Sequence, residues 1–244
     1  MRDILQLNIM SFNTQHCKNY ITGEIDFVRM AEAIRECGAD IVGLNEMYND
    51  GGPDRPLLSE QTRKLADLLG FPFHYFACAL DFHQGRPIQY GNGLISRYPL
   101  LSAERIMITE PDLSLCPRYE PRCILKAKID VQGKVFTVMT SHFGLSPAEQ
   151  KNAAETVMAH LEKENCLLMG DFNVYPDDPV LSPIRETLRD SADCWEGEKL
   201  SFPSDAPHCK IDYIFASRDV KMLSADIPPI IASDHRPHIA CIEI

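Results

Sequence analysis

The chain has 244 residues, 45% of them hydrophobic, with 24 Lys+Arg against 35 Asp+Glu and a formal net charge of −11. That length buries a large core, while the acidic balance lacks the electrostatic footprint of a general nucleic-acid binder, although a bound divalent metal would reverse the sign locally. Nine cysteines, none in C-x-x-C spacing and most inside apolar runs (Cys123, Cys166, Cys241), fit buried thiols in a reducing compartment and speak against a zinc site.

Met1-Arg2-Asp3-Ile4 leads straight into a strand pattern, and no stretch reaches membrane-spanning length, so a soluble cytoplasmic monomer is expected. Leu5 to Phe12 reads as a first strand running into Asn13 and a polar loop, Thr14 to Tyr20. Asp26 is placed to N-cap a helix carrying Phe27, Met30, Ala31 and Ile34 on one face, with Gly38 placed to end it. Asp40 to Glu46 is a short buried strand, which completes a strand–helix–strand unit with Asn13 and Glu46 at the carboxyl ends of its strands. A Gly/Pro/Asp loop (Asn49–Pro56) precedes a helix over Ser59–Leu69, ended by Gly70; Phe73–Leu80 is a strand and Asp81–Tyr90 a polar loop. Gly91–Pro99 reads as a turn plus a short strand stopped by proline, and Leu101–Thr109 as another strand.

After a Pro-containing loop, Glu110–Glu120, Arg122 opens a strand, Cys123–Ile129, paired as a hairpin with Lys134–Thr140 across Asp130–Gly133. The second strand ends at Ser141-His142, and Ser146-Pro147-Ala148-Glu149 is a capping box with Pro at the first helical position, starting a helix to about Lys163. Cys166 to Met169 is uniformly apolar, as a strand buried on both faces would be, and stops at Gly170-Asp171-Phe172-Asn173. A shorter helix is expected near Leu181–Arg189, a long polar segment over Glu196–Cys209, a strand over Lys210–Phe215 with Asp212 near its start, and a last strand, His238–Ile244, after Ser233-Asp234-His235-Arg236-Pro237. With no linker to divide it, the chain reads as a single α/β domain over residues 1–244 with mixed sheets.

Polar residues recur at strand ends: Asn13, Glu46, His142, Asp171 with Asn173, and Asp234 with His235, while Asp212 sits just inside a strand. Each alone is equally a turn cap or a solvated strand end. Together they hold the parts for metal-assisted attack on phosphorus: oxygen ligands for a hard divalent cation, a base for water, and donors for phosphoryl oxygens.

In this order the segments resemble the endonuclease/exonuclease/phosphatase superfamily, the group of deoxyribonuclease-like metal-dependent phosphoesterases. The resemblance runs over Asn13, Gly43-Leu44-Asn45-Glu46, Gly91-Asn92-Gly93-Leu94-Ile95-Ser96-Arg97, Pro121-Arg122, Thr140-Ser141-His142, Gly170-Asp171-Phe172-Asn173, Ile211-Asp212-Tyr213-Ile214 and Ser233-Asp234-His235. Asn45 departs from it, since the family often has Gln before the Glu. The resemblance implies a four-layer α/β sandwich, two packed mixed β-sheets flanked by helices. It implies Glu46 as the main Mg²⁺ ligand (with Mn²⁺ as a substitute), with Asn13 and Asp234 beside that metal. It further implies Asp171 activating or positioning the water, Asn173 orienting it, His142 and His235 stabilising phosphoryl charge, and Asp212 fixing the tautomer of His235. Arg122 and Asn92 are substrate-binding candidates, with a surface strand position and a tight turn as their plainer readings. Tyr90 and Phe202 are candidates for lining a pocket, core packing being the alternative for one of them, and His16 carries no motif.

The expected function is Mg²⁺-dependent hydrolysis of a phosphoester, with a small-molecule or lipid-like ester favoured by the acidic charge. The alternatives are a DNA or RNA nuclease and a non-catalytic binding module that keeps the fold.

Overall fold

The computed structural model describes residues 5–52, 54–83, 85–114, 116 and 118–244. In chain order these form β1 (Gln6–Asn13), α1 (Phe27–Glu36), β2 (Ile41–Asp50), α2 (Gln61–Leu69), β3 (Phe73–His83), β4 (Arg86–Ser96), β5 (Leu100–Met107), β6 (Cys123–Val131), β7 (Lys134–Ser141), α3 (Pro147–His160), β8 (Cys166–Asp171), α4 (Ser182–Thr187), β9 (Leu188–Asp190), β10 (Asp212–Ser217), β11 (Lys221–Asp226) and β12 (His238–Glu243). The expected lead-in Met1–Ile4, and single positions in three expected loops (residues 53, 84, 115 and 117), lie outside the described residues.

The local signals act as their chemistry requires. Asp26 accepts a hydrogen bond from the Arg29 N–H at the start of α1, and the Ser146/Glu149 capping box is fully formed at α3. Gly70 closes α2 in the left-handed region. Gln132 and Gly133, both at positive φ, make the two-residue turn between β6 and β7.

The strands form two six-stranded sheets, in the orders β11-β12-β1-β2-β4-β3 and β5-β6-β7-β8-β10-β9. Each has one parallel pair at its centre, β1 with β2 and β7 with β8, joined by the crossover helices α1 and α3; every other pair is antiparallel. The two sheets thus share one pairing pattern, which no sequence repeat announced. Leu7, Ile9 and Leu94 of one sheet and Leu125, Leu167 and Ile214 of the other fill the layer between them. On the outer faces α1 and α2 pack Met30, Ile34 and Leu65 against Met10 and Val42, and α3 packs Ala153 and Val157 against Leu168 and Phe215. The result is the four-layer sandwich of helices, two mixed sheets and helices.

Four expectations change. Asp81–Tyr90 is not a loop: most of it is paired in the β3–β4 hairpin. Gly91-Asn92-Gly93 is not a turn but the interior of β4, where a Cβ on Gly91 would lie 2.0 Å from the Ala77 carbonyl oxygen; glycine serves close approach of the strands there. The stretch after α4 is a short edge strand, β9, paired with β10. β11 was not foreseen at all; it pairs with β12 at the edge of the first sheet.

Candidate active site

Asp171 is the hub. It ends β8, is 1% exposed, and is delivered by Gly170, whose φ of +145° no side chain would tolerate here: a Cβ would lie 1.8 Å from the Ser141 carbonyl oxygen. Its Oδ2 accepts from Asn13 Nδ2 at 3.0 Å and lies 3.5 Å from His142 Nε2 and 3.6 Å from His235 Nε2. Its Oδ1 accepts from the Asn173 N–H at 2.9 Å. Burial raises the carboxyl to about 7, against the pull of His235, Asn13 and Asn173 in the other direction.

Asp212 stands directly opposite Asp171 in the β8–β10 register, a like-charge pairing that is unfavourable by itself. His235 resolves it. Its Nδ1 meets Asp212 Oδ2 at 2.9 Å while Nε2 faces Asp171. Burial would lower its pKa, but the Asp212 and Asp171 carboxylates outweigh that and hold the ring as an imidazolium up to about 10. Behind this pair, buried His238 braces Asp212: its Nδ1 meets the Asp212 carbonyl at 3.1 Å and its Nε2 the Ser191 hydroxyl at 2.8 Å. The ring of Phe202 lies 4.8 Å from that of His235.

His142 has the opposite charge state. Burial, then the Arg122 guanidinium, push its pKa well below the usual value. Arg122 Nη1, which can only donate, is 3.3 Å from His142 Nδ1. His142 Nε2 lies 3.1 Å from Asn173 Nδ2, and that amide donates to the Phe143 carbonyl. Arg122 is not a surface residue; it pairs with Glu120 at 2.6 Å and reaches Tyr90 OH at 3.4 Å.

Glu46 lies inside β2 at a bulge, between Leu44 and Met47, with a φ of 61°. A non-glycine residue in that region is strained by roughly 1 kcal/mol or more, and such strain gathers where a side chain must be aimed. Asn13 Nδ2 donates to both Glu46 Oε1, at 3.1 Å, and Asp171, so the amide ties the two carboxylates together and points its oxygen at the Gln15 N–H. Asp234 accepts from the Ser233 hydroxyl; burial first, and the charge of Glu46, raise its carboxyl pKa. Asn92 reaches the site indirectly. It accepts from Asn45 Nδ2 at 2.8 Å, and Asn45 in turn accepts from the Asp171 N–H at 2.9 Å.

Glu46, Asp171, Asp212 and Asp234 therefore converge, with Arg122 and His235 as nearby cations. Two of the four have raised pKa values, and Asp212 Oδ1 is buried with no hydrogen-bond partner among the described residues. Hard oxygen donors in excess of local positive charge suit a divalent cation of the magnesium or manganese kind. Ligand atoms of Asp171, Asp212 and His235 also lie within 4.8 Å of one another, but there His235 already faces one oxygen of each carboxylate, so Glu46 and Asp234 are the better-suited oxygen donors. Sequence reasoning missed His16, whose Nε2 is 3.6 Å from Glu46 Oε2, and His238; neither has a local motif, and each reaches the site only through the tertiary fold.

The Endonuclease/Exonuclease/phosphatase family profile matches residues 10–235. No curated protein sequence matches the chain. Among solved structures, an endonuclease/exonuclease/phosphatase from Beutenbergia cavernae superimposes with a TM-score of 0.80 at 23% identity, over 98% of this chain and 72% of that one. One from Bacteroides vulgatus gives 0.76 at 20% identity, over 98% and 99%. A mannosyl-6-phosphatase from Bacteroides thetaiotaomicron gives 0.75 at 15% identity, over 97% and 99%. The fold and the profile agree: this chain belongs to the endonuclease/exonuclease/phosphatase family of phosphoester hydrolases.

Proposed function

We propose that the chain is a Mg²⁺-dependent hydrolase of a small-molecule or lipid-like phosphoester, with Mn²⁺ able to substitute. The observation that carries this reading is the convergence of His142, His235, Asn13 and Asn173 on Asp171 beside Glu46. The net charge of −11 supports a small ester over a nucleic-acid backbone.

Glu46 and Asp234 would hold a divalent cation, which when bound would supply Lewis-acid polarisation of the phosphoryl oxygen. Asn13, donating to Glu46 and Asp171, holds their separation. Asp171 accepts a proton from the attacking water as its oxygen bonds to phosphorus; the ester oxygen leaves with the bonding pair and is protonated from solvent. Neutral His142 and the His235 imidazolium, the latter steadied by Asp212, stabilise the charge that develops on the phosphoryl oxygens. Arg122, with a buried Nε that has no partner among the described residues, stands beside His142 as a phosphate contact.

The test is a panel of phosphomonoesters and phosphodiesters with Mg²⁺ or Mn²⁺, and chelator controls. Hydrolysis should fall by at least about a thousandfold in Glu46→Ala and Asp171→Ala. Equal activity in the variants would sink the assignment, and preferential nicking of abasic-site DNA would make the protein a nuclease.

A further inference from the structure

Next to Glu46 lies a hollow of about 260 Å³, walled by His16, Tyr48, Tyr90, Leu80 and Ile88, with Glu120 and Arg122 completing it. Hollows of 290 and 360 Å³ elsewhere on the surface share no residue with the polar cluster. Tyr48, Leu80, Ile88 and Tyr90 belong to none of the three apolar clusters that build the sandwich. Tyr90 is itself buried, and the half-buried Tyr48, Leu80 and Ile88 turn apolar surface to this wall.

The wall is held in place. His16 sits in a turn whose residues Gln15, His16 and Cys17 all have positive φ, of 45°, 62° and 60°, an arrangement that persists only where its surroundings over-determine it. Fully buried Gln61 of α2 supplies part of that support: its Nε2 donates to the His16 carbonyl at 2.7 Å and its Oε1 accepts from the Tyr48 N–H at 2.9 Å. One side chain thus fixes two of the three rings. Arg122 links the hollow to the reaction centre, since the same Nη1 approaches Tyr90 OH and His142 Nδ1.

The chemistry of the wall selects its occupant. The three rings touch, with centroids 5.0–5.7 Å apart, but are inclined to one another by 48° to 62°. A flat nucleobase lies parallel to only one of them, whereas a puckered ring presents C–H groups and hydroxyls to all three. The one lining arginine is already paired with Glu120, and Glu46 adds a second carboxylate, so a further phosphate or a nucleic-acid backbone is repelled while hydroxyl donors are welcomed. The volume falls below the usual range of drug-sized pockets, as suits one ring. We propose that this hollow binds the sugar ring of a hexose monophosphate and so sets the substrate class. The proposal rests on the phosphoester-hydrolase reading above.

The experiment compares kcat/KM for glucose 6-phosphate, glycerol phosphate, adenosine monophosphate and a dinucleotide with the full chain and Mg²⁺. The hexose ester should be preferred over glycerol phosphate by about tenfold or more. Tyr48→Ala should collapse that ratio, chiefly through KM; Tyr48→Phe should keep it, and Ile88→Ala should narrow it. Saturation-transfer NMR on Asp171→Asn should show transfer to the sugar-ring protons of glucose 6-phosphate, lost on adding Tyr48→Ala. A preference for the nucleotide or dinucleotide, equal losses on hexose and glycerol esters, or no ring-proton transfer overturns the proposal. Absence of any hydrolysis defeats the phosphoester reading instead, and the NMR arm then still decides whether the hollow takes the sugar.

Discussion

Asn45 is where the architecture and the chemistry meet, and its removal gives the sharpest test. Its side chain is fully buried and makes three hydrogen bonds from the first sheet to its surroundings: it accepts from the Asp171 N–H at 2.9 Å, and donates to Asn92 Oδ1 at 2.8 Å and to the Ser141 carbonyl at 3.2 Å. Asn92 passes the link on by donating to the Cys123 carbonyl at 2.8 Å. The two amides thus bolt β2 and β4 of one sheet to β6, β7 and β8 of the other. In Asn45→Ala one buried donor and two buried acceptors lose their partner. An orphaned buried group costs about 1–3 kcal/mol, so even low values sum to about 3 kcal/mol, a large share of a typical domain's stability. Urea unfolding should show a lower midpoint at an unchanged m-value. Because Asp171 loses the acceptor that holds its main chain, kcat should also fall by about tenfold or more, and the longer Asn45→Gln should lie between wild type and Asn45→Ala in both measurements. A loss below about 1 kcal/mol with full activity would show that these amides do not join the sheets at the site.

Two further outcomes follow from the buried histidines. His238 is held neutral, its pKa lowered to about 4 chiefly by burial and then by Lys210. Between that value and the ordinary 6.5 the unfolded chain binds a proton that the folded one refuses, so this contribution to stability is present above the ordinary value and is lost as pH falls toward 4. The destabilisation by His238→Gln should accordingly shrink by about 3 kcal/mol from pH 7 to pH 4, measured by denaturant titration of both proteins so that the opposing titration of Asp171 cancels; a pH-independent difference would refute it. In Asp212→Asn the first of the carboxylates that keep His235 charged is gone. NMR titration of the metal-free protein should place the His235 pKa below that of wild type, and kcat should drop by about a hundredfold; an unchanged His235 titration would remove Asp212 from its positioning role.

Signals that act within a few residues were legible in the chain itself. The Asp26 cap, the Ser146/Glu149 capping box, the Gly70 terminator and the two-residue turn at Gln132-Gly133 each depend on a local hydrogen bond or a local φ. The apolar run into Gly170-Asp171 likewise states that a buried strand delivers a carboxylate at its end. The ordered polar motifs carried the family resemblance, and with it the layered fold, because each motif is short.

The tertiary structure decided what depends on partners far along the chain. Asp81–Tyr90 becomes strand because a neighbour is there to pair with it, and the edge strands β9 and β11 exist only through β10 and β12. Asn13 meets Asp171 across 158 positions, and Asn45 meets it across 126. His16 reaches Glu46 through a turn that no propensity favours. Composition and periodicity report how each residue treats water and its immediate neighbours. They carry no register between sheets, and it is that register that sets Asp171 opposite Asp212 with an imidazolium between them, and Glu46 beside a ring-lined hollow.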